Sequence, residues 1–296
     1  MELRVLKYFL AVVREESITK AADVIHITQP TLSRQLALLE DELGVKLFER
    51  GPHKIKLTEE GLLLSRRAKE ILALVDKTTD EIVNSDEMIE GTITVGCGEI
   101  TSVELLGKLF ASFREKYPLV KFEVYTATSD VILERMDRGL IDIGLLIEPV
   151  DIDKYEFVRL KVKENLVALM LPDVPLAKKE TIESSDLAPL PLILPSRLKI
   201  QSEIKHWFGS FFDTLNVVCR SNLTMNTVSL VKNGFGYSIL NEGMIPYFSP
   251  DVITYRPLNP PLISSSVLVW KKGQHWTSCF VKFIEFVQCF LGISKS

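Results

Sequence analysis

The sequence has few residues that could hold a metal ion or form a disulfide framework. Its four cysteines show no Cys-x-x-Cys spacing and stand at Cys97, Cys219, Cys279 and Cys289. The four histidines are equally scattered, which argues against a zinc site. Unlinked thiols favour a reducing cytoplasm over an oxidising compartment. We therefore predict a cytoplasmic protein that carries no metal and no cofactor.

Long hydrophobic runs are also missing. No stretch reaches a length of about 18 apolar residues, which a membrane-spanning helix needs. The apolar run nearest the N-terminus, Tyr8–Val13, is flanked by Lys7 and Arg14 and precedes no cleavage site of small residues. We predict neither a signal peptide nor contact with a membrane.

A basic excess, which is common among nucleic-acid-binding proteins, is absent as well. The chain has 35 Lys and Arg against 39 Asp and Glu, for a net charge of −4. Any interaction with DNA must therefore depend on where the charges lie. The 296 residues, 46% hydrophobic and 25% charged, have the composition of a globular protein with about two domains.

Residues 1–44 show three amphipathic helical patterns separated by short breaks. The first covers Met1–Arg14, the second follows Ser17, which is a suitable N-cap, and the third begins at Thr28 and ends at Gly44. A helix, a short turn and a helix of this size form the helix-turn-helix motif. The expected core residues are Leu3, Leu6, Phe9, Leu10, Val13, Ile18, Ala21, Ala22, Ile25, Leu32, Leu36, Leu39 and Leu43.

The start of the third helix would present polar side chains to DNA. Gln suits adenine, Arg suits guanine, and Ser and Thr suit either base. The alternative is a solvated polar face, because such faces are common on small helical domains. The candidate DNA contacts in this part of the chain are Ser17, Gln29, Pro30, Thr31, Ser33, Arg34 and Gln35.

A basic hairpin follows and strengthens the DNA-binding hypothesis. Val45–Arg50 and Ile55–Leu57 are predicted as two short strands around the turn-rich residues 51–54, which together form a wing. Positive charge at such a tip suits contacts with phosphate. The wing adds four candidate DNA contacts with no acid between them: Arg50, His53, Lys54 and Lys56.

Four segments of this region carry a family resemblance. In chain order they are Ser17-Ile-Thr-Lys-Ala-Ala22, Ile27-Thr-Gln-Pro-Thr-Leu-Ser-Arg-Gln35, Leu39-Glu-Asp-Glu-Leu-Gly-Val-Lys-Leu-Phe-Glu-Arg50 and Leu57-Thr-Glu-Glu-Gly61. Together they resemble the N-terminal domain of LysR-type transcriptional regulators. Two departures from the family pattern are Glu16, where Gly is common, and Glu60, where Ala is common.

The resemblance implies an architecture for the whole chain. A winged helix-turn-helix DNA-binding domain at residues 1–58 would precede a linker and dimerisation helix at 59–90 and an effector-binding domain at 91–296. The family's effector domain has two α/β lobes and resembles periplasmic solute-binding proteins. In this sequence, lobe I would comprise about 91–160 and 267–296, and lobe II about 161–266.

The segment from Thr58 to about Glu90 contains no proline and one glycine, which favours a long helix. Its apolar residues recur every three or four positions, as in a coiled-coil seam. The alternative is a helix packed on its own C-terminal domain. We favour dimerisation because a single helix-turn-helix reads few base pairs, and the resemblance implies a homodimer or homotetramer. The predicted seam residues are Leu64, Ala68, Ile71, Val75 and Ile82.

After Gly91 the pattern alternates between strands and helices, which favours parallel sheets with helices on both faces. We expect the chain to cross between the lobes near Glu148–Tyr155 and again near Pro260–Ser266. Ligands of such sheets bind at the carboxyl ends of strands, between the lobes.

Polar residues follow several predicted strands at the places where helices begin. Free N–H groups there, with nearby hydroxyls and one arginine, favour a small anion. A plain helix cap is the alternative for each Ser or Thr. The segment Gly96-Cys97-Gly98 lacks the third glycine of a dinucleotide fingerprint. The candidate effector contacts are Thr101, Ser102, Thr128, Ser129, Ser196 and Arg197, of which the resemblance supports Thr101, Ser102 and Thr128.

No catalytic motif competes with this interpretation. The sequence has no Gly-x-Ser-x-Gly, no P-loop and no His-Glu-x-x-His. We predict a LysR-type regulator, not an enzyme, whose promoter binding responds to a small-molecule effector. Its expected partners are double-stranded DNA with dyad symmetry, the effector and, as a further candidate, RNA polymerase. The alternative is a solute-binding or catalytic α/β protein whose N-terminal helices serve assembly.

Overall fold

The computed structural model describes residues 1–50, 55–83, 89–274 and 276–292. The chain divides into two compact units, Met1–Val83 and Asn84–Ser296. Across the four described ranges, no helix is both long enough and apolar enough to cross a membrane.

The first unit contains the three predicted helices, the predicted hairpin and a fourth, longer helix. Its elements are α1 (Leu3–Glu15), α2 (Ile18–Val24), α3 (Gln29–Leu43), β1 (Phe48–Arg50), β2 (Ile55–Leu57) and α4 (Glu59–Val83).

Local capping explains where these helices begin and end. The Ser17 hydroxyl accepts a hydrogen bond from the Lys20 amide at 3.4 Å, and the Thr58 hydroxyl accepts one from the Gly61 amide at 3.0 Å. Gly44 adopts a φ of 69° and ends α3 with a left-handed turn. The predicted N-cap Ser17 and the predicted helix end at Gly44 are therefore confirmed.

The apolar faces of α1, α2 and α3 converge on one core around Phe9, which is fully buried. Two predicted core residues are wrong, because Leu3 is 44% exposed and Leu43 is 40% exposed. Leu3 begins α1 and Leu43 ends α3, so both lie at helix ends outside this core.

The wing hairpin pairs β1 with β2 in antiparallel register, with Phe48 opposite Leu57. Strand β1 begins at Phe48 rather than at the predicted Val45. The reason lies in Glu40, whose carboxylate accepts the amide N–H groups of Leu47 and Phe48 at 2.8 and 3.4 Å. The predicted contacts His53 and Lys54 lie outside the described residues.

Glu16 ends α1 in the left-handed region, with φ 51° and ψ 21°. A side chain in this conformation costs roughly 1 kcal/mol, which glycine avoids. We expect Glu16→Gly to raise the melting temperature of the first unit by several degrees, measured by circular dichroism. Glu16→Ala is the control, since it removes the carboxylate but keeps the Cβ. Equal stabilisation by both variants would assign the effect to charge rather than to the backbone.

The described residues of the second unit form eight strands, two of them very long, together with six α-helices and three short 3-10 helices. Its strands are β3 (Gly91–Cys97), β4 (Val120–Thr126), β5 (Ile143–Ile147), β6 (Tyr155–Met170), β7 (Leu192–Pro195), β8 (Val217–Ser221), β9 (Tyr237–Asn241) and β10 (Thr254–Lys271). Its α-helices are α5 (Val103–Lys116), α6 (Ser129–Asp137), α7 (Ser184–Leu187), α8 (Leu198–Phe208), α9 (Thr224–Lys232) and α10 (Ser278–Phe290). Three short 3-10 helices cover Pro175–Lys178, Gly209–Thr214 and Glu242–Tyr247.

The eight strands form one sheet in the order β4-β3-β5-β10-β6-β9-β7-β8. Strand β10 is antiparallel to β5 and β6, and β6 is antiparallel to β9. The predicted parallel sheets are therefore wrong at the centre of the sheet, although β3 is parallel to β4 and β5, and β7 is parallel to β8 and β9. Strand β6 carries the chain from one lobe to the other, and strand β10 carries it back. The two strands therefore run in opposite directions.

Helices cover both faces of each half of the sheet. In the first half, α5 and α10 pack on one face and α6 on the other. In the second half, α8 and α9 take the corresponding positions. We call these halves lobe I and lobe II.

Strand β6 carries the chain from one lobe to the other. It begins in the lobe I core with Tyr155 and Val158 and ends in the lobe II core with Leu166 and Ala168. The first crossing is therefore not at Glu148–Tyr155, as predicted, but within β6. Charged residues obscured the strand in the sequence: Glu156, Arg159, Lys161, Lys163 and Glu164. The second predicted crossing, Pro260–Ser266, lies within β10, which passes from the lobe II core at Leu258 to the lobe I core at Val267.

Candidate functional site

The recognition helix α3 exposes part of the predicted polar set. Gln29, Pro30, Thr31 and Arg34 are exposed, and the Thr31 hydroxyl lies 2.7 Å from that of Thr28. Ser33 and Gln35 were expected to be exposed but are half-buried. Four of the six predicted α3 residues are thus open to solvent.

Sequence reasoning missed one exposed residue of this helix. Leu38 is 51% exposed and lies four residues after Arg34, on the same face of α3. Leu38 is apolar and therefore falls outside the polar side chains that were expected to contact DNA. A leucine at this spacing can contact the methyl group of thymine, so the helical period could have found it.

The remaining predicted DNA contacts divide into capping and wing residues. Ser17 is half-buried and caps α2, so the structure gives its hydroxyl a structural role. Lys56 is exposed on β2, and the register places Glu49 directly opposite it. Arg50 ends β1, and its side chain lies outside the described part of the structure.

The apolar stripe of α4 faces α1 over part of its length. Ala68 and Leu72 pack against Leu6, with Leu64 and Ile71 at the edge of the same cluster. Ala68 is fully buried there. The prediction that Ala68 lies in a dimer seam is therefore wrong, because this face is covered within one chain. Of the other seam residues, Val75 is half-buried, and the side chain of Ile82 lies outside the described residues.

The exposed apolar residues of α4 lie elsewhere on the helix. Leu62, Leu63 and Leu74 are 55%, 50% and 43% exposed. A helix that exposes leucines on the side away from its own core has an apolar surface available to a partner.

A cavity of about 120 Å³ lies between the two lobes of the second unit, at the carboxyl ends of several strands. It brings together four of the six predicted effector contacts: Thr128, Ser129, Ser196 and Arg197. Its apolar lining includes Ile100, Ile147 and Leu166.

Thr101 and Ser102 do not line this cavity, and the anion pocket predicted around them is already filled. The Glu164 carboxylate accepts the amide N–H groups of Thr101 and Ser102 at 2.9 and 3.0 Å. The Ser102 hydroxyl is fully buried and donates to the same carboxylate. We therefore correct the prediction: the start of α5 binds an anion, but the anion belongs to the chain itself.

The sequence predicted that the Arg197 guanidinium binds a carboxylate of the effector. Arg197 does line the cavity, but its guanidinium is already bonded to other groups of the chain. Its guanidinium donates to the carbonyl oxygens of Ile147 and Pro149 at 2.9 and 2.6 Å. It also lies 3.4 Å from a carboxylate oxygen of Asp130. Since Arg197 is the N-cap residue of α8 in lobe II and its partners lie in lobe I, it ties the lobes together at the cavity.

The start of α6 differs from that of α5. Thr128 is the N-cap residue, and its side chain makes no capping hydrogen bond to the first amide groups of the helix. The Ser129 hydroxyl accepts the Ile147 amide at 3.3 Å, which fixes the end of β5 beside it. Thr128 is half-buried and Ser196 is exposed, so their hydroxyls remain accessible from the cavity.

Several cavity residues were missed by sequence reasoning. Asn222 follows β8 and Asn241 ends β9, so the rule that ligands bind at carboxyl ends of strands could have found both. Glu99 also lines the cavity, and its carboxylate accepts the Met225 amide at the start of α9 at 2.9 Å. No sequence pattern indicated this contact between the lobes.

Cys97 ends β3 and is buried. Burial raises the pKa of its thiol, and the nearby Glu99 carboxylate raises this pKa further. The thiol is therefore protonated at neutral pH and is a poor nucleophile. Within the described part of the chain, no three His, Cys, Asp or Glu side chains converge as metal ligands would.

Two family models match the chain and together cover most of it. The bacterial regulatory helix-turn-helix protein model of the lysR family matches residues 3–62, and the LysR substrate binding domain model matches residues 86–291. The chain belongs to the LysR family of transcriptional regulators.

Individual LysR-family proteins match nearly the full length. The HTH-type transcriptional regulator BsdA of Bacillus subtilis (strain 168) is 31% identical, over 96% of this chain and 99% of BsdA. The Hca operon transcriptional activator HcaR of Escherichia coli (strain K12) is 29% identical, over 93% of each chain. The crystal structure of CbnR has a TM-score of 0.74 at 22% identity, covering 98% of this chain and 99% of CbnR. The likeness to CbnR shows the fold of this chain.

This LysR-family chain is a DNA-binding transcriptional regulator with a C-terminal effector-binding domain. Its family consists of regulators, not enzymes, so the alternative of a catalytic or solute-binding protein with assembly helices is wrong. The partners of the family are double-stranded DNA, small-molecule effectors and further copies of the chain.

Proposed function

We propose that this regulator is a cytoplasmic homodimer or homotetramer that binds a dyad-symmetric promoter site and responds to a small organic anion. The cavity between the lobes carries the proposal, because polar groups from both lobes line it beside the start of α6, where the Thr128 side chain makes no capping hydrogen bond. A regulator must reach DNA, which supports a cytoplasmic location. Pairing of two identical DNA-binding domains supports a site with dyad symmetry.

One end of the cavity suits an anionic group. Thr128 and the amide groups that follow it lie at the positive end of the α6 dipole. Ser196 adds a hydroxyl from lobe II, and Arg197 adds positive charge although its neighbours hold it in place. A carboxylate that reaches this end would receive hydrogen bonds from both lobes.

The rest of the lining suits an apolar body. Ile100, Ile147 and Leu166 contribute aliphatic surface from both lobes. The cavity volume of about 120 Å³ is close to the ~150 Å³ of a cavity that holds benzene. A carboxylate on a ring or short chain of this size is the effector class that fits best.

The cavity also offers a route from effector binding to DNA binding. A ligand changes regulation only if it prefers one arrangement of the lobes over another. Arg197 and Glu99 each form hydrogen bonds between the lobes at the cavity wall. We infer that the effector adds to these contacts and favours a closed arrangement of the lobes.

A ligand screen by thermal shift on the full chain tests this proposal. We expect small carboxylates to raise the melting temperature and their uncharged amides to leave it unchanged. In the double variant Thr128→Val, Ser196→Ala, the loss of two hydroxyls should raise the apparent Kd for the active carboxylate by about 10- to 100-fold. Gel shifts with promoter DNA should show unchanged basal affinity.

Thr101→Val is the matched control, because Thr101 lies outside the cavity lining. It should bind the carboxylate as wild type does. Equal stabilisation by acids and amides would contradict the anionic effector. An unchanged Kd in the double variant would place the effector elsewhere in the second unit.

A further inference from the structure

Glu164 is a buried acidic residue in the middle of strand β6. Its side chain is fully buried, and four hydrogen bonds converge on its carboxylate. Three come from lobe I, from the Thr101 amide at 2.9 Å and from the Ser102 amide and hydroxyl at 3.0 and 2.5 Å. The fourth comes from lobe II, from the side-chain amide of Asn241 at 2.9 Å.

These contacts have the properties of a built anion site. An ionised carboxylate without partners is costly to bury, whereas backbone N–H groups at a helix start stabilise it. The two amides lie directly before α5, a 14-residue helix whose positive N-terminal end faces the carboxylate. Charge-assisted hydrogen bonds of this kind are about twice as strong as neutral ones.

The surroundings leave no space for a second anion at this helix. The Ser102 hydroxyl also bonds to the Ser266 hydroxyl of β10, so both long strands meet α5 here. Gly243 packs on the same turn so closely that a Cβ atom would lie 2.3 Å from the Thr101 nitrogen. Asn241 bonds to Glu164 and lines the effector cavity, which places the two sites side by side.

We propose that Glu164 is a specificity-determining residue: it acts as an intramolecular ligand that fills the anion site at the start of α5. An effector carboxylate is thereby excluded from α5 and directed to the start of α6. The claim that the effector is directed to α6 rests on the proposed function above. The claim that Glu164 fills the α5 site stands on the four hydrogen bonds alone.

Chemical rescue of the full-length Glu164→Ala variant tests the proposal. Removing the carboxylate leaves the Thr101 and Ser102 amides without their acceptor, so the melting temperature should fall by about 5–10 °C. Formate, the smallest carboxylate, should then raise the melting temperature of the variant more than that of wild type. Chloride at the same ionic strength is the reference. Glu164→Gln is the matched control, because its amide fills the space and formate should give no extra stabilisation.

The comparison with wild type separates this proposal from the previous one. Formate binding at α6 would stabilise wild type and both variants equally, so only the excess in Glu164→Ala reports the α5 site. An unchanged melting temperature in Glu164→Ala, or a destabilised variant without excess rescue, overturns the proposal. If Glu164→Ala does not fold, hydrogen exchange of Glu164→Gln decides: faster exchange of the Thr101 and Ser102 amides supports the proposal, and unchanged exchange contradicts it.

Discussion

Replacing Leu63 and Leu74 with glutamate is expected to halve the oligomeric mass and to weaken specific DNA binding by at least about 100-fold. The two leucines are exposed and lie about three turns apart, on one face of α4. Leu72, nine residues after Leu63, lies on the opposite face and packs on α1. The exposed face is therefore free to pair with a second copy while the other supports the helix-turn-helix core.

Light scattering measures the mass, and a gel shift on a dyad-symmetric site measures the affinity. Leu62→Glu is the matched control, because Leu62 is equally exposed but points about 100° away from Leu63. It should keep the oligomer intact. Because all three leucines are exposed within one chain, each variant should still fold, which circular dichroism at one protomer concentration checks. A double variant of unchanged mass would exclude this face of α4 from the interface.

The behaviour of α4 illustrates what helical periodicity can establish. The stripe through Leu64, Ala68 and Ile71 correctly identified a face that is buried or half-buried. Periodicity indicates that one face of a helix is buried, but it does not indicate which surface buries that face. The structure shows that α1 covers it, through Leu6, which packs against Ala68 and Leu72 of α4. The partner of an amphipathic face is a non-local property, so the sequence alone left two interpretations open.

Elements with strong local signals were predicted within a few residues. Ser17 and Gly44 mark helix boundaries through their own side chain and backbone. Strand β6 was largely missed because half of its length carries charged side chains that alternate with buried ones. Its pairing with β9 and β10 stabilises it, and that pairing involves residues far away in the sequence.

The effector site was predicted in position but not in chemistry. The rule for carboxyl ends of strands located Thr128, Ser129, Ser196 and Arg197 at one cavity. It gave no indication that Glu164, 62 residues from Ser102, supplies the anion at α5. Arg197 likewise has partners in another lobe. Which anion or cation meets a helix start depends on tertiary contacts, and these are absent from local sequence patterns.

Removing the side chain of Arg34 is expected to weaken specific DNA binding by about 1–3 kcal/mol, or roughly 5- to 150-fold. Arg34 is exposed one turn into the recognition helix, where its planar guanidinium can form two hydrogen bonds with a guanine. Binding to unrelated duplexes should change little. The measurement is a salt titration of affinity for a site selected from random duplexes and for a scrambled duplex.

Two further variants distinguish base reading from phosphate contact. Arg34→Lys keeps the charge but loses the planar pair of donors, so it should lose affinity for the selected site and keep affinity for the scrambled one. Lys56→Ala on the wing should weaken both complexes equally and reduce the slope of log affinity against log salt by about one. Equal losses on both duplexes for Arg34→Ala would instead make Arg34 a phosphate contact, and base reading would then belong to other exposed residues of α3.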